Sequence, residues 1–313
     1  HGDLFHKIHH NLLLQTLNFK EGFSRDFHPN KTPINLSKSK IQPEVLMQNA
    51  LSHLNEIAPW LNKSDAVSTN RIRMMTGMSI KEWDNWILDQ KPMPLAGRIG
   101  RLIKEELVLE NVAPIAIEWI LKLPESKSKG IEISLPAELT LPNKKSVPSI
   151  MLRGQIDRVD LVPFDIEKNI WIDEDGSKEV APLESHIRND WRPRRLVIIR
   201  DIKTTEKTKA KERHYKGILE ELQLALYARA WEIAHPGDLV IGAGISILGH
   251  KISHFVELSK HNSVENLQKF GIKTDITKNK FRFLNEDKSP DSDPFRAWLA
   301  SRISVALNVS NRA

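Results

Sequence analysis

The chain has 313 residues, enough for one large domain or two small ones, and its 40% hydrophobic and 27% charged composition suits a globular protein with a real core. It has no cysteine, which excludes disulfides, thiolate zinc sites and iron–sulfur clusters, and no apolar run near about 18 residues, which argues against a membrane span. A net charge of +6 suits a polyanionic partner without demanding one. The first residue is His1 rather than Met and no signal-peptide pattern follows, so the chain reads as a piece of something longer, with a cytoplasmic location expected.

Residues 1–18 place Leu4, Phe5, Ile8, Leu12, Leu13 and Leu17 at helical spacing, with Gly2 and His6 four apart on the same segment. A polar loop fills 20–42. From Pro43 to Leu123 the pattern predicts helices over 43–58, 64–78, 81–88, 96–112 and 114–123, punctuated by Pro59, Gly77, Pro92, Pro94 and Pro114. Trp60, Trp83, Trp86 and Trp119 lie in this block; at helical spacing they read as core, with base stacking the alternative. Gly100 to Glu106 forms a second glycine-to-helix stretch, with Glu105 and Glu106 at its end.

Residues 131–142 alternate as a strand or strand pair, Asn143–Ser146 reads as a turn, and Ser149–Val162 as the next strand. Gly154 within it marks a close approach of backbone or ligand. Residues 163–194 read as an acidic, turn-rich excursion, and Arg194–Lys203 as a central strand. A basic segment with Lys207, Lys209 and Lys211 follows, well placed to hold phosphates beside a site, although a solvated loop is the plainer reading. Helix 217–234 carries Gln223 and Tyr227 on one face. Residues 238–258 give two strands turning around Gly249–Lys251, and 293–307 a closing helix with Asp293 as N-cap and Pro294 at its first position.

The chemistry concentrates between Leu152 and Tyr227. Period-two geometry puts Asp201 and Lys203 on one face of their strand and turns Ile202 into the core, while Asp157 lies on the preceding strand. Two carboxylates with an ammonium beside them is the equipment of metal-dependent phosphodiester hydrolysis. Hard anionic oxygens hold Mg²⁺, and the lysine steadies the attacking water or the charge developing at phosphorus.

Three runs, Arg153-Gly154-Gln155-Ile156-Asp157-Arg158-Val159-Asp160, Asp201-Ile202-Lys203 and Gln223 through Tyr227, stand in the order G-x-[IV]-D-R-[IV]-D, D-x-K and Q-x-x-x-Y. In that order, and on a strand–strand–helix context, they resemble the PD-(D/E)XK nuclease superfamily in its RecB/AddB-like, helicase-associated branch. The resemblance covers roughly residues 1–18 and 131–260. It implies an α/β, restriction-endonuclease-like fold: a mixed central sheet flanked by helices, in one domain over 1–313. A helical insertion would occupy 20–125, the catalytic sheet and motif helix 131–260, and a C-terminal helical segment 261–313.

The same resemblance implies a metal-dependent DNA nuclease, an exonuclease on single-stranded ends in DNA repair or recombination. Partnership with a helicase domain or subunit is implied, and a role of the CRISPR-adaptation type ranks lower. It makes Asp157, Asp201 and Lys203 catalytic. Mg²⁺ or Mn²⁺ would be held by His6 (the G-x-x-x-H histidine), Asp157, Asp201 and the Ile202 carbonyl. Gln223, Tyr227, Arg158, Lys207, Lys209 and Lys211 would contact or support DNA. Glu105 or Glu106 stands as the alternative to His6. Two features depart from the pattern: relatives often carry a four-cysteine cluster, and they connect the two acidic strands more tightly than the 44 positions between Asp157 and Asp201 here. The alternative class is a catalytically silent nuclease-fold module that binds DNA or a partner subunit.

Overall fold

The computed structural model describes residues 2–17, 36–63, 65–109, 113–123, 126–134, 149–162, 164–165, 170–172, 178–180, 195–203, 221–247, 255–259, 299 and 302–307. It is a mixed α/β structure built on an open five-stranded sheet with helices on both sides. Helix α1 (Gly2–Leu17) is followed by α2 (Pro43–Ile57), α3 (Ala66–Thr76), α4 (Ile80–Asp89) and α5 (Gly97–Leu107). Strands β1 (Ala113–Ile120), β2 (Ile131–Ser134), β3 (Ser149–Leu152) and β4 (Gln155–Val162) come next. Short strands β5 (Phe164–Asp165), β6 (Ile170–Ile172) and β7 (Lys178–Val180) precede β8 (Arg195–Lys203), α6 (Gln223–Ala234), β9 (Asp238–Ile247) and β10 (Phe255–Ser259). Residues 302–307 are again helical.

The main sheet runs β1-β4-β8-β9-β10. Only β8 and β9 pair in parallel, as a strand–helix–strand unit through α6 requires; β1–β4, β4–β8 and β9–β10 are antiparallel. β2–β3 and β5–β6–β7 form two smaller sheets, so the acidic stretch after β4 carries strands where the sequence suggests a plain solvated loop.

The helices begin and end where their local chemistry dictates. Asp65 caps α3 by accepting the Ser68 N–H at 2.8 Å, and Ser79 with Glu82 forms a reciprocal capping box on α4. α3 ends at Gly77 in a left-handed conformation (φ 80°). Gly97 (φ 63°) opens α5 so close to α3 that a Cβ there would lie 2.4 Å from the Met75 carbonyl oxygen. Trp83 and Trp86 stack with ring centroids 5.3 Å apart on the buried face of α4.

One expectation fails outright: the segment expected as a helix over 114–123 is a strand, Ala113–Ile120, followed by irregular chain. β1 lies at the sheet edge, where Pro114 costs no ladder bond, and its register slips between Pro114 and Ala116. Ile115, Ala116, Ile117 and Trp119 are all buried, so the strand lacks the polar alternation that would distinguish it from a buried helix.

The sheet divides two cores. On one side α6 and Leu299, Ile303 and Leu307 pack on the strands, with Trp119 meeting Trp231 edge-on at 5.0 Å. The other core joins α1–α5 and receives Ile202 from β8. No helix among the described residues is long and apolar enough to cross a membrane.

Candidate active site

Asp157 sits where the β4–β8 ladder stops. Backbone pairing runs as far as Arg158 opposite Arg200, and one step on the Asp157 carboxylate accepts the Ile202 N–H at 2.7 Å. A side chain replaces a backbone acceptor, and the carboxylate is thereby fixed against the strand end. Asp201, on the α6 side of β8, takes the Lys203 ammonium at 2.9 and 2.7 Å, as the period of two demands. Gln223, at the start of α6, donates to Asp201 at 3.4 Å and to the Tyr227 hydroxyl at 3.1 Å. The Gln155 backbone N–H supports the same phenol oxygen. Gly154 leaves room for that ring: a Cβ would stand 3.1 Å from the Tyr227 hydroxyl and 3.3 Å from Leu121.

His6 reaches this group from α1. One ring nitrogen lies 3.0 Å from the Ile202 carbonyl oxygen, the other 3.2 Å from the Glu118 carboxylate and 4.0 Å from Asp157. Both nearest neighbours are acceptors, which favours the protonated ring, able to donate to each. Burial favours the neutral imidazole, but Glu118 and Asp157 outweigh it and hold His6 above its ordinary 6.5. His6, Glu118 and Asp157 each offer a ligand atom within 4.8 Å of the others, a group able to hold a metal ion. Burial, then the charge of Asp201, pushes Asp157 up to about 7 despite His6 and the Ile202 N–H. Burial, with Asp157 and Asp201 nearby, also raises Tyr227 above 10.0.

Glu118 is the residue that sequence reasoning missed. It sits in β1 at φ 52°, a left-handed conformation that a non-glycine residue seldom takes, and Gln155 donates to its second oxygen. It lies in the segment whose pattern predicts a helix, where a lone carboxylate inside a β-branched apolar run is the signal.

The structure brings together His6, Asp157, the Ile202 carbonyl, Asp201, Lys203, Gln223 and Tyr227. It sets Arg158 apart: the guanidinium is buried on the opposite face, bonded to Asp160 at 2.8 Å and Glu106 at 2.5 Å, and has no surface for DNA. Glu106 is committed to that pair and to His9 at 2.8 Å, so neither it nor Glu105 joins the His6 group. Asp160 bonds Arg200 as well, completing a buried ion network behind the site. Trp60 is the one of the four tryptophans left substantially open, at 36% exposure with Arg71 over its ring at 4.9 Å. Lys207, Lys209 and Lys211, the 143–146 turn and the Asp293–Pro294 cap lie outside the described residues. Compared with known proteins, the chain matches no protein-family model and no curated sequence.

Proposed function

We propose that this chain is a divalent-metal-dependent nuclease with a restriction-endonuclease-like core, of the PD-(D/E)XK class. Within that class the reading narrows to the RecB/AddB-like branch: an exonuclease acting on single-stranded DNA ends in repair or recombination, working with a helicase domain or subunit, with α2–α5 as its helical insertion. One observation carries it. His6, 151 positions before Asp157 in the chain, meets that carboxylate at 4.0 Å, beside the linked set Asp201, Lys203, Gln223 and Tyr227.

The residues fit a hard cation. Two carboxylates, an imidazole and a backbone carbonyl suit Mg²⁺ or Mn²⁺, and burial, with Asp201 and Glu118 nearby, raises Asp157 in a way that a cation would relieve. His6, Glu118, Asp157 and the Ile202 carbonyl would hold it; Asp201, which the resemblance makes a further ligand, lies near Asp157 but outside the His6–Glu118–Asp157 group. When bound, the ion polarises the phosphoryl oxygens and lowers the pKa of water.

The chain's own groups supply the rest. Asp157 stays fixed by the Ile202 N–H. Lys203, held by Asp201, presents its remaining N–H groups to the attacking water and to the charge gathering at phosphorus. Water's oxygen forms the new bond to phosphorus as the phosphodiester P–O bond breaks, leaving a phosphate monoester and an alcohol.

Labelled linear single- and double-stranded DNA, incubated with Mg²⁺, Mn²⁺ or EDTA, tests this directly. Cleavage is expected only with metal, and Lys203→Ala is expected to slow it by on the order of 10²–10³. Cleavage indifferent to EDTA and to the substitution overturns the assignment. DNA binding without any cleavage turns the reading to the silent module.

A further inference from the structure

Glu118 and Asp157 lie side by side on antiparallel β1 and β4, between the paired positions Ile117–Arg158 and Trp119–Ile156. Following both strands in the same direction, four residues from each acid, leads to Lys122 and Arg153. At about 3.3 Å per residue of extended chain these two cations lie up to roughly 13 Å along the chain from the acids. The pairing runs one step past the strands, where the Leu121 N–H donates to the Gly154 carbonyl at 3.0 Å, just short of Lys122 and Arg153. Gly130 then enters beside them. It bridges to Lys122, its N–H donates to Leu121 at 2.7 Å, and the Arg153 side chain lies over it, 3.3 Å from where a Cβ would be.

Lys127 and Lys129 occupy the turn leading into Gly130, a turn shaped by Ser126 and Ser128. Lys122, Lys127, Lys129 and Arg153 are all exposed, and none forms an ion pair or side-chain hydrogen bond among the described residues. Glu132, the acid on the adjoining β2, is engaged by Ser149. Met151, 61% exposed on β3, and Leu123 add apolar surface between the charges.

We infer that this strip is the track along which a single nucleic-acid strand lies as it passes from the site toward the β2–β3 hairpin, the four cations meeting successive phosphates. Solvated cations clustered in this way bind a polyanion by releasing its counterions, and that binding is read by its salt dependence rather than by sequence. The inference rests on the nuclease reading for the identity of its ligand, and it concerns where the strand lies rather than how it is cut.

The test is fluorescence anisotropy of a labelled oligothymidylate with the whole chain in Ca²⁺, across a salt series, comparing Lys122→Gln/Arg153→Gln with the parent. A control, Lys63→Gln/Lys81→Gln, removes the same charge from exposed positions on the helical side. With about 0.7 of the log–log salt slope per phosphate contact on single strands, the strip variant is expected to lose roughly 1.4 of slope and about tenfold in affinity at moderate salt. The control is expected to keep its slope. Equal losses in both variants, or an unchanged strip variant, overturn the track. A parent that cleaves while the strip variant binds normally rejects the track and keeps the nuclease. A parent that never cleaves but loses binding only in the strip variant does the reverse.

Discussion

Glu118 holds its place through an unfavourable backbone. A left-handed φ of 52° in a non-glycine residue costs on the order of 1–2 kcal/mol, and here it turns the carboxylate onto His6 while Gln155 secures the second oxygen. Strain kept beside perturbed acids points to function. Glu118→Gln, nearly isosteric, is therefore expected to leave the circular dichroism spectrum unchanged and to weaken Mn²⁺ binding by calorimetry at least ~10–100-fold, the loss typical even of an outer-shell partner. Unaltered Mn²⁺ affinity would remove Glu118 from the ligand set. At this scale the sequence was informative wherever the signal is short-ranged. Asp201 with Lys203, and Gln223 with Tyr227, follow from periods of two and of four. Glu118 and His6 depend on contacts spanning 112 positions, which no local spacing encodes; His6 came into view through its resemblance to a family pattern alone.

At the scale of elements, the network Glu106–His9–Arg158–Asp160–Arg200 fastens α1 and α5 to the back of β4 and β8. Each of the site acids Asp157 and Asp201 has a buried arginine, Arg158 or Arg200, as its chain neighbour, so the network sets the strands that present them. Burial alone would raise Glu106, but Arg158 and then His9 bring it from 4.5 down to about 2. A depressed carboxyl stabilises fully above its unfolded value, and that stability is lost as pH falls through the folded one. The window is therefore pH 4.5 to about 2, and the amount roughly 3 kcal/mol. Glu106→Gln removes one of the two carboxylates bonded to Arg158 and is expected to cost roughly 3 kcal/mol in urea denaturation at pH 7, the gap to the parent narrowing toward pH 2. Parallel stability curves across that window would refute the network as the acid-labile tie. The amphipathic helices α2–α5 are legible from their polar faces, helped on α3 and α4 by the caps Asp65 and Ser79. β1, apolar on both faces, was not, and the order of strands in the sheet depends on pairings that composition does not report.

The whole molecule has two cores, and α1 is what joins the helical one to the sheet at the site. His6 meets Glu118 and Asp157 at the strand ends, and His9 meets Glu106 and Arg158 behind them. A cation bound by His6, Glu118 and Asp157 would bridge α1, β1 and β4, three elements far apart in sequence, so its binding energy is folding energy for the assembly. At a free metal concentration 100 times the dissociation constant, the native state gains about 2.7 kcal/mol. At roughly 2–4 °C per kcal/mol for a chain of this order of size, Tm is expected to rise by several degrees with Mg²⁺ or Mn²⁺ and to fall back with EDTA. His6→Ala should abolish the rise, because it removes the ligand contributed by α1. Lys203→Ala should retain it, because that ammonium bonds Asp201 and is no ligand. This pair of variants separates holding the ion from using it: a metal-dependent rise that survives His6→Ala would place the ion elsewhere, and one that vanishes with Lys203→Ala would make the lysine part of the scaffold rather than of the chemistry.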